Sequence, residues 1–257
     1  MARVYIGTSG FSYPHWGKGV FYPKALPQKD WFEYYCQHFK TVELNVSFYR
    51  LPKKETFANW RAKAGPNFVF SVKGSRYITH IKRLKDCQEP LEKLFENAKA
   101  IRTQNAKRKT QNVILWQLPP RMKANFERLE EFLSHLRGGI RHLGGVKAGW
   151  RHAFEFRSST WLTVKTFDLL RKYKAAIVFQ DFPDWPVTEE LTADFVYLRF
   201  HGRTHLYTSD YSRKELEKWS RKIDKWMNRG LDVYAYFNND ALGYAVENAK
   251  TLKALVS

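Results

Sequence analysis

Arg199 and His201 close the run D-F-V-Y-L-R-F-H-G at Asp194 to Gly202, an apolar and aromatic stretch ending in an anion holder and a proton carrier. Residues two apart in an extended chain point the same way, so both side chains fall on one face of the strand's end. The same spacing recurs with Glu155 and Arg157 in A-F-E-F-R, and with Glu43 and Asn45 in T-V-E-L-N-V-S. Lys73, Gln117, Asp181 and Asn238 also close or follow apolar runs. The guanidinium forks of Arg157 and Arg199 match phosphate or carboxylate oxygens, and Lys73 adds a point charge. His201, with an ordinary pKa of about 6.5, suits proton transfer near neutrality. Glu43, Glu155 and Asp181 could supply its partner acid or base, while Asn45, Gln117 and Asn238 could orient a substrate. Each role has a structural counterpart: a lone histidine is often a satisfied donor, and carboxylates and arginines so placed must pair, because an unpaired buried charge is costly.

These residues need a scaffold that brings many strand ends to one place. Strands are expected at Arg3 to Ile6, Thr41 to Ser47, Phe68 to Lys73, Asn112 to Leu118, around Ala153 to Arg157, at Ala175 to Phe179, in the Asp194 to Gly202 run and at Leu231 to Phe237. Helical patterns lie between them: Trp31 to Phe39, Lys53 to Ala62, Pro90 to Thr103, Phe126 to Leu136, a helix from Trp161 capped by Ser159 or Thr160, Arg213 to Met227 after Ser212, and Ala241 to Leu255. Such alternation predicts an α/β fold with a parallel sheet and right-handed crossovers. A doubly wound sheet concentrates its site at one reversal of strand order. Here nearly every strand ends in a polar residue, which favours a single (β/α)8 TIM barrel whose functional rim is its C-terminal face. The 257 residues suit one domain spanning 1–257, and no linker divides them.

Lys and Arg number 44 against 25 acidic residues, a net charge of +19, which points to an anionic partner. The excess is uneven: Arg76 to Lys109 holds ten basic and four acidic residues, with Lys107, Arg108 and Lys109 consecutive. Cys36 and Cys87 are the only cysteines, too few for a disulfide scaffold or a zinc knuckle; a buried thiol is expected at Cys36. The chain enters a strand directly after M-A-R and has no run of 18 apolar residues, so a soluble, cytoplasmic protein with no membrane partner is expected. A metal could draw on Glu43, Glu155, Asp181, His201, His80 or His205, but no H-E-x-x-H or C-x-x-C occurs and the cations among the candidates oppose it. Neither a metal nor a cofactor is predicted. No G-x-S-x-G elbow is present for a serine nucleophile, and G-T-S-G at Gly7 to Gly10 lacks dinucleotide-binding spacing and reads as a tight turn allowing close backbone approach.

Several motifs resemble a known family. I-G-T-S-G-F-S-Y-P-H-W at Ile6 to Trp16, F-Y-P at Phe21 to Pro23, T-V-E-L-N-V-S-F-Y-R at Thr41 to Arg50, Q-L-P-P at Gln117 to Pro120, E-F-R at Glu155 to Arg157, Y-L-R-F-H-G at Tyr197 to Gly202 and F-N-N-D at Phe237 to Asp240 resemble the YecE-like family, domain of unknown function 72. The resemblance runs through essentially the whole chain and implies a TIM barrel akin in shape to the xylose isomerase and endonuclease IV group. It carries no activity. The motif positions it implies are Glu43, Asn45, Lys73, Thr79, His80, Gln117, Glu155, Arg157, Asp181, Arg199, His201, Gly202, Asn238 and Asn239. Val46-Ser47 and Phe11 depart mildly from the family pattern.

Three functions follow as expectations. The first is an enzyme using acid/base chemistry on a phosphate-bearing small molecule or nucleic acid, with Arg157, Arg199 and Lys73 (and His80, by the resemblance) holding the anion. The second is a non-enzymatic module binding nucleic acid or another partner. The third is a sugar hydrolase built on two of Glu43, Glu155 and Asp181, which the 16% aromatic content would suit.

Overall fold

The computed structural model describes residues 1–102, 112–138, 150–186, 188–203 and 205–256. The basic run Lys107 to Lys109 lies outside the described residues. Strands β1 (Val4–Thr8), β2 (Thr41–Leu44), β3 (Val69–Lys73), β4 (Asn112–Gln117), β5 (Trp150–Glu155), β6 (Ala176–Asp181), β7 (Phe195–Phe200) and β8 (Asp232–Phe237) are neighbours in the order β1-β8-β7-β6-β5-β4-β3-β2. The ladders between β1 and β8, and from β3 through to β8, are all parallel. Beyond β1, Ser9 bridges to Glu43 in β2, and the Gly10 amide donates to the Glu43 carbonyl at 2.8 Å. Eight parallel strands in a nearly closed barrel with surrounding helices form a (β/α)8 TIM barrel.

The helices are α1 (Trp31–His38), α2 (Val46–Tyr49), α3 (Lys54–Lys63), α4 (Gln88–Ala98), α5 (Phe126–Gly138), α6 (Val164–Tyr173), α7 (Arg213–Asn228) and α8 (Tyr244–Leu255). α7 starts where expected because Ser212 and Glu215 complete a capping box, each side chain bonding the other's backbone amide. Its apolar members Leu216, Ile223 and Trp226 are buried.

The chain divides into two compact units: Met1–Glu43 with Val178–Glu189 and Asp194–Ser257, and Leu44–Ile177 with Glu190–Ala193. In the first, the aromatic loop that follows β1 packs into the core at its centre. Trp16 and Tyr22 are buried, and Tyr22 stacks on Trp31 at 4.6 Å and 10°. In the second, Trp116, Phe132 and Phe154 pack edge to face, and Phe156 stacks on Trp161.

Several boundaries differ from the sequence expectation, each for a local reason. β2 stops at Leu44 rather than Ser47: the Ser47 hydroxyl lies 2.9 Å from the Leu44 carbonyl and 2.6 Å from that of Lys73, and Val46–Tyr49 closes a single helical turn. Asn45 therefore stands at the start of α2. The helix expected from Trp161 begins at Val164, capped by Thr163, because Trp161 is drawn into the core where its indole donates to the Met122 carbonyl at 2.8 Å. α8 begins at Tyr244, after Gly243 adopts a φ of 84°. Cys87 is the buried thiol, while Cys36 is only half-buried.

Candidate active site

In the first unit the end of β7 carries the expected pair. Arg199 and His201 lie side by side, with Arg199 Nη1 3.4 Å from His201 Nε2, and both are buried. The fork of Arg199 is engaged by Glu43: Nε donates to Oε2 at 3.0 Å and Nη2 to Oε1 at 2.7 Å. The Tyr197 hydroxyl donates to the same Oε2 at 2.7 Å. A buried carboxylate with three charge-assisted or phenolic donors is well satisfied, so the pair is a fixed dipole at the barrel's carboxyl end. Asn238, just past β8, places its amide 3.2 Å from His201 Nδ1. A guanidinium only donates, so where Arg199 meets His201 the ring presents the lone pair of Nε2, while on its other side the Asn238 amide nitrogen lies against Nδ1.

Asp181 closes β6, and its carbonyl accepts from the His201 amide at 2.9 Å. Its carboxylate turns elsewhere, accepting from the Trp219 indole at 3.2 Å, and burial pushes its pKa up.

The same unit holds a pair that sequence reasoning did not single out. His15 Nε2 lies 3.1 Å from Asp240 Oδ2, an ion-pair approach outside hydrogen-bond geometry, and the Trp16 indole donates to Asp240 Oδ1 at 3.0 Å. The Asp240 side chain is 9% exposed and that of His15 34%. Burial raises the Asp240 carboxyl to about 6, against the opposing pull of the Trp16 bond and of His15. The only sequence signals were the H-W dipeptide in the aromatic loop and the Asp closing F-N-N-D.

In the second unit Gln117 and Glu155 are partners in register across β4 and β5, and Gln117 Nε2 donates to Glu155 Oε1 at 2.9 Å. Arg157 Nη2 meets the same oxygen at 2.5 Å, so the E-F-R spacing yields an ion pair. Lys73 closes β3 with its ammonium 4.4 Å from the centre of the Phe48 ring, a cation–π contact. His80 lies on the π-helical turn Tyr77–Ile81, its Nδ1 2.9 Å from Thr79 Oγ1. Burial, with Lys73 and Arg76 nearby, depresses its pKa to about 4. Asn45 Oδ1 is buried with no hydrogen-bond partner among the described residues.

The structure thus joins Glu43, Arg199, His201 and Asn238 in one network, Gln117, Glu155 and Arg157 in another, and Lys73 with His80 around Phe48. Of the three expected anion holders, Arg199 belongs to the first unit and Lys73 and Arg157 to the second. Both arginines already hold a carboxylate. Among the described residues, no three His, Cys, Asp or Glu side chains come together as a metal site, and no helix is long and apolar enough to cross a membrane.

The chain is similar to known proteins throughout. It is 25% identical over 280 residues to the UPF0759 protein YunF of Bacillus subtilis, covering 98% of this chain and 94% of that one. The crystal structure of a DUF72 family protein of Thermotoga maritima superposes with a TM-score of 0.82 at 30% identity, covering 98% of both chains. One from Enterococcus faecalis superposes with a TM-score of 0.79 at 20% identity, covering 98% of this chain and 95% of that one. The family described as Protein of unknown function DUF72 matches residues 5–257, and this chain belongs to it.

Proposed function

We propose that this protein is an enzyme whose acid/base chemistry acts on an anionic, phosphate-bearing substrate at the carboxyl ends of the strands in its first unit. One observation carries the reading: a partly exposed imidazole, His15, backed by a nearly buried carboxylate, Asp240, which an indole holds in place. A carboxylate beside one ring nitrogen stabilises the imidazole's charged form, leaving the other nitrogen to exchange protons with a substrate. With Nε2 turned to Asp240, Nδ1 of His15 is that nitrogen. His201, Arg199, Glu43 and Asn238 supply a rigid polar wall rather than mobile proton carriers, since each is tied to the next. The net charge of +19 favours an anionic substrate. A sugar hydrolase receives less support, because Glu43 and Glu155 are each held by an arginine.

The test is turnover of p-nitrophenyl phosphomonoesters and phosphodiesters between pH 5 and 9, before and after chelator treatment, by the wild type and by His15→Asn. Turnover that survives the chelator and falls about 100-fold or more in the variant is expected. Turnover indifferent to His15→Asn, or none with any ester, would overturn the proposal.

A further inference from the structure

We propose that α2 and the turn following β3 form a docking surface for single-stranded nucleic acid. Both segments follow strands at their carboxyl ends and both belong to the second unit. They are pinned together: the Phe48 ring meets His80 edge to face at 5.0 Å, and the Ser47 hydroxyl reaches the Lys73 carbonyl.

Large apolar side chains are left in solvent here. Tyr49 is 80% exposed, Ile81 60%, and Tyr77 and Val46 47% each. These are four of the ten exposed large hydrophobic residues among the described residues, concentrated in two segments of four and five residues. The charge around them is predominantly positive. Residues 45–54 contain Arg50, Lys53 and Lys54 and no acid; residues 76–88 contain Arg76, Lys82, Arg83 and Lys85 against Asp86 alone.

The backbone is unusual at the same place. Tyr77–Ile81 is a π-helical turn, a form that recurs at functional sites. It is followed by Arg83, Leu84 and Asp86 at φ of 50°, 68° and 48°, left-handed conformations that non-glycine residues adopt only under constraint. Leu84 is buried and anchors the loop, so the strained segment holds its neighbours outward.

Exposed tyrosine rings interleaved with Arg and Lys match what an unpaired strand offers: bases to stack on the rings and phosphates to meet the cations. A duplex hides its base faces and would use only the charge. A membrane surface fits less well, since α2 has four residues and presents no amphipathic helix to lie in an interface. The surface does not depend on the acid/base reading above.

Fluorescence anisotropy with a labelled mixed-sequence 12-mer, as single-stranded DNA, single-stranded RNA and DNA duplex, tests the proposal on the full chain. Either single strand should bind at least tenfold more tightly than the duplex. Tyr49→Ala with Tyr77→Ala should weaken single-strand binding by about tenfold or more with little change in salt dependence. Arg50→Glu with Arg76→Glu should instead flatten the slope of log K against log salt by about one unit or more. His15→Asn should leave binding intact, so loss of turnover there tests the acid/base reading alone. Equal affinity for duplex and single strand, binding indifferent to both double variants, or tighter binding to phosphatidylserine vesicles than to either strand would overturn it.

Discussion

Glu43 and Arg199 meet through two hydrogen bonds of 3.0 and 2.7 Å, with neither side chain exposed. The residues are 156 positions apart, so the pair ties the second strand to the seventh. Breaking it from one side leaves a buried charge without its counterion, which typically costs about 3 to 5 kcal/mol. Glu43→Ala and Arg199→Met should each lower unfolding free energy by roughly that much in urea at neutral pH. The double change Glu43→Leu with Arg199→Met should recover most of the loss, because replacing both charges removes their desolvation penalty. Single variants that lose less than about 1 kcal/mol would show that the pair does not hold the barrel together.

The parity of Arg199 and His201 was readable in the sequence because side-chain direction in a strand follows directly from spacing. So was the Glu155–Arg157 pair, whose two members are near neighbours on one chain segment. Ser212 announced α7 because a cap and its Glu three residues on are a local signal. What could not be read was set by contacts distant in sequence. The end of β2 is fixed by a hydroxyl reaching another strand's carbonyl, and α6 starts late because the core claims Trp161. His15 and Asp240 come from opposite ends of the chain, and meet only because β1 and β8 are neighbours. The same reason hides the partner of Arg199: sequence required some carboxylate for it without saying which.

The Asp240 carboxyl, raised to about 6, gives the proposed site an acid limit. Above that value the carboxylate is ionised and can stabilise a charged His15; below it the support is lost. Activity should therefore fall as pH drops through about 6. The folded state binds this proton more tightly than the unfolded chain does, so the group's contribution to stability declines as pH rises from its ordinary value of 3.8 toward about 6. Because His15 pulls the value down, His15→Gln should move the Asp240 midpoint upward, followed by carboxyl carbon resonances assigned with Asp240→Asn. A midpoint that stays in place would mean the two groups do not interact.

His152 predicts a second pH effect, of opposite sign. The residue keeps some exposed surface, but its ring lies beneath Trp116, whose indole donates to Nδ1 at 3.2 Å, and against Phe95. Protonation at Nδ1 would break that bond, and burial alone depresses the pKa to about 4. A histidine that must stay neutral when folded contributes fully above its ordinary 6.5, and that contribution is lost as pH falls toward about 4. Stability should drop by roughly 1 to 3 kcal/mol across this window on account of His152. His152→Gln, which keeps an acceptor without a titrating ring, should flatten the dependence in urea melts at pH 7, 5.5 and 4. An unchanged slope would assign the acid sensitivity to other groups.

Gly7 separates close approach from backbone conformation as reasons for a glycine. A Cβ there would lie 2.5 Å from the backbone oxygen of Thr41 and 3.0 Å from the Tyr35 hydroxyl. That hydroxyl accepts from the Thr8 amide at 3.1 Å and donates to the Thr41 carbonyl at 3.0 Å, so a methyl group would strike the bridge itself. Backbone cannot swing aside as a flexible side chain can, and overpacking of this kind costs about 1 to 3 kcal/mol. Gly7→Ala should destabilise by that amount although alanine lowers the entropy of the unfolded chain. Gly65 provides the contrast, since a Cβ there meets nothing within 4 Å and its φ is not in the left-handed range. Gly65→Ala should therefore be neutral or stabilise by up to about 1 kcal/mol. Chemical denaturation of the two variants side by side decides the matter: equal effects would mean that the contact at Thr41 relaxes without penalty.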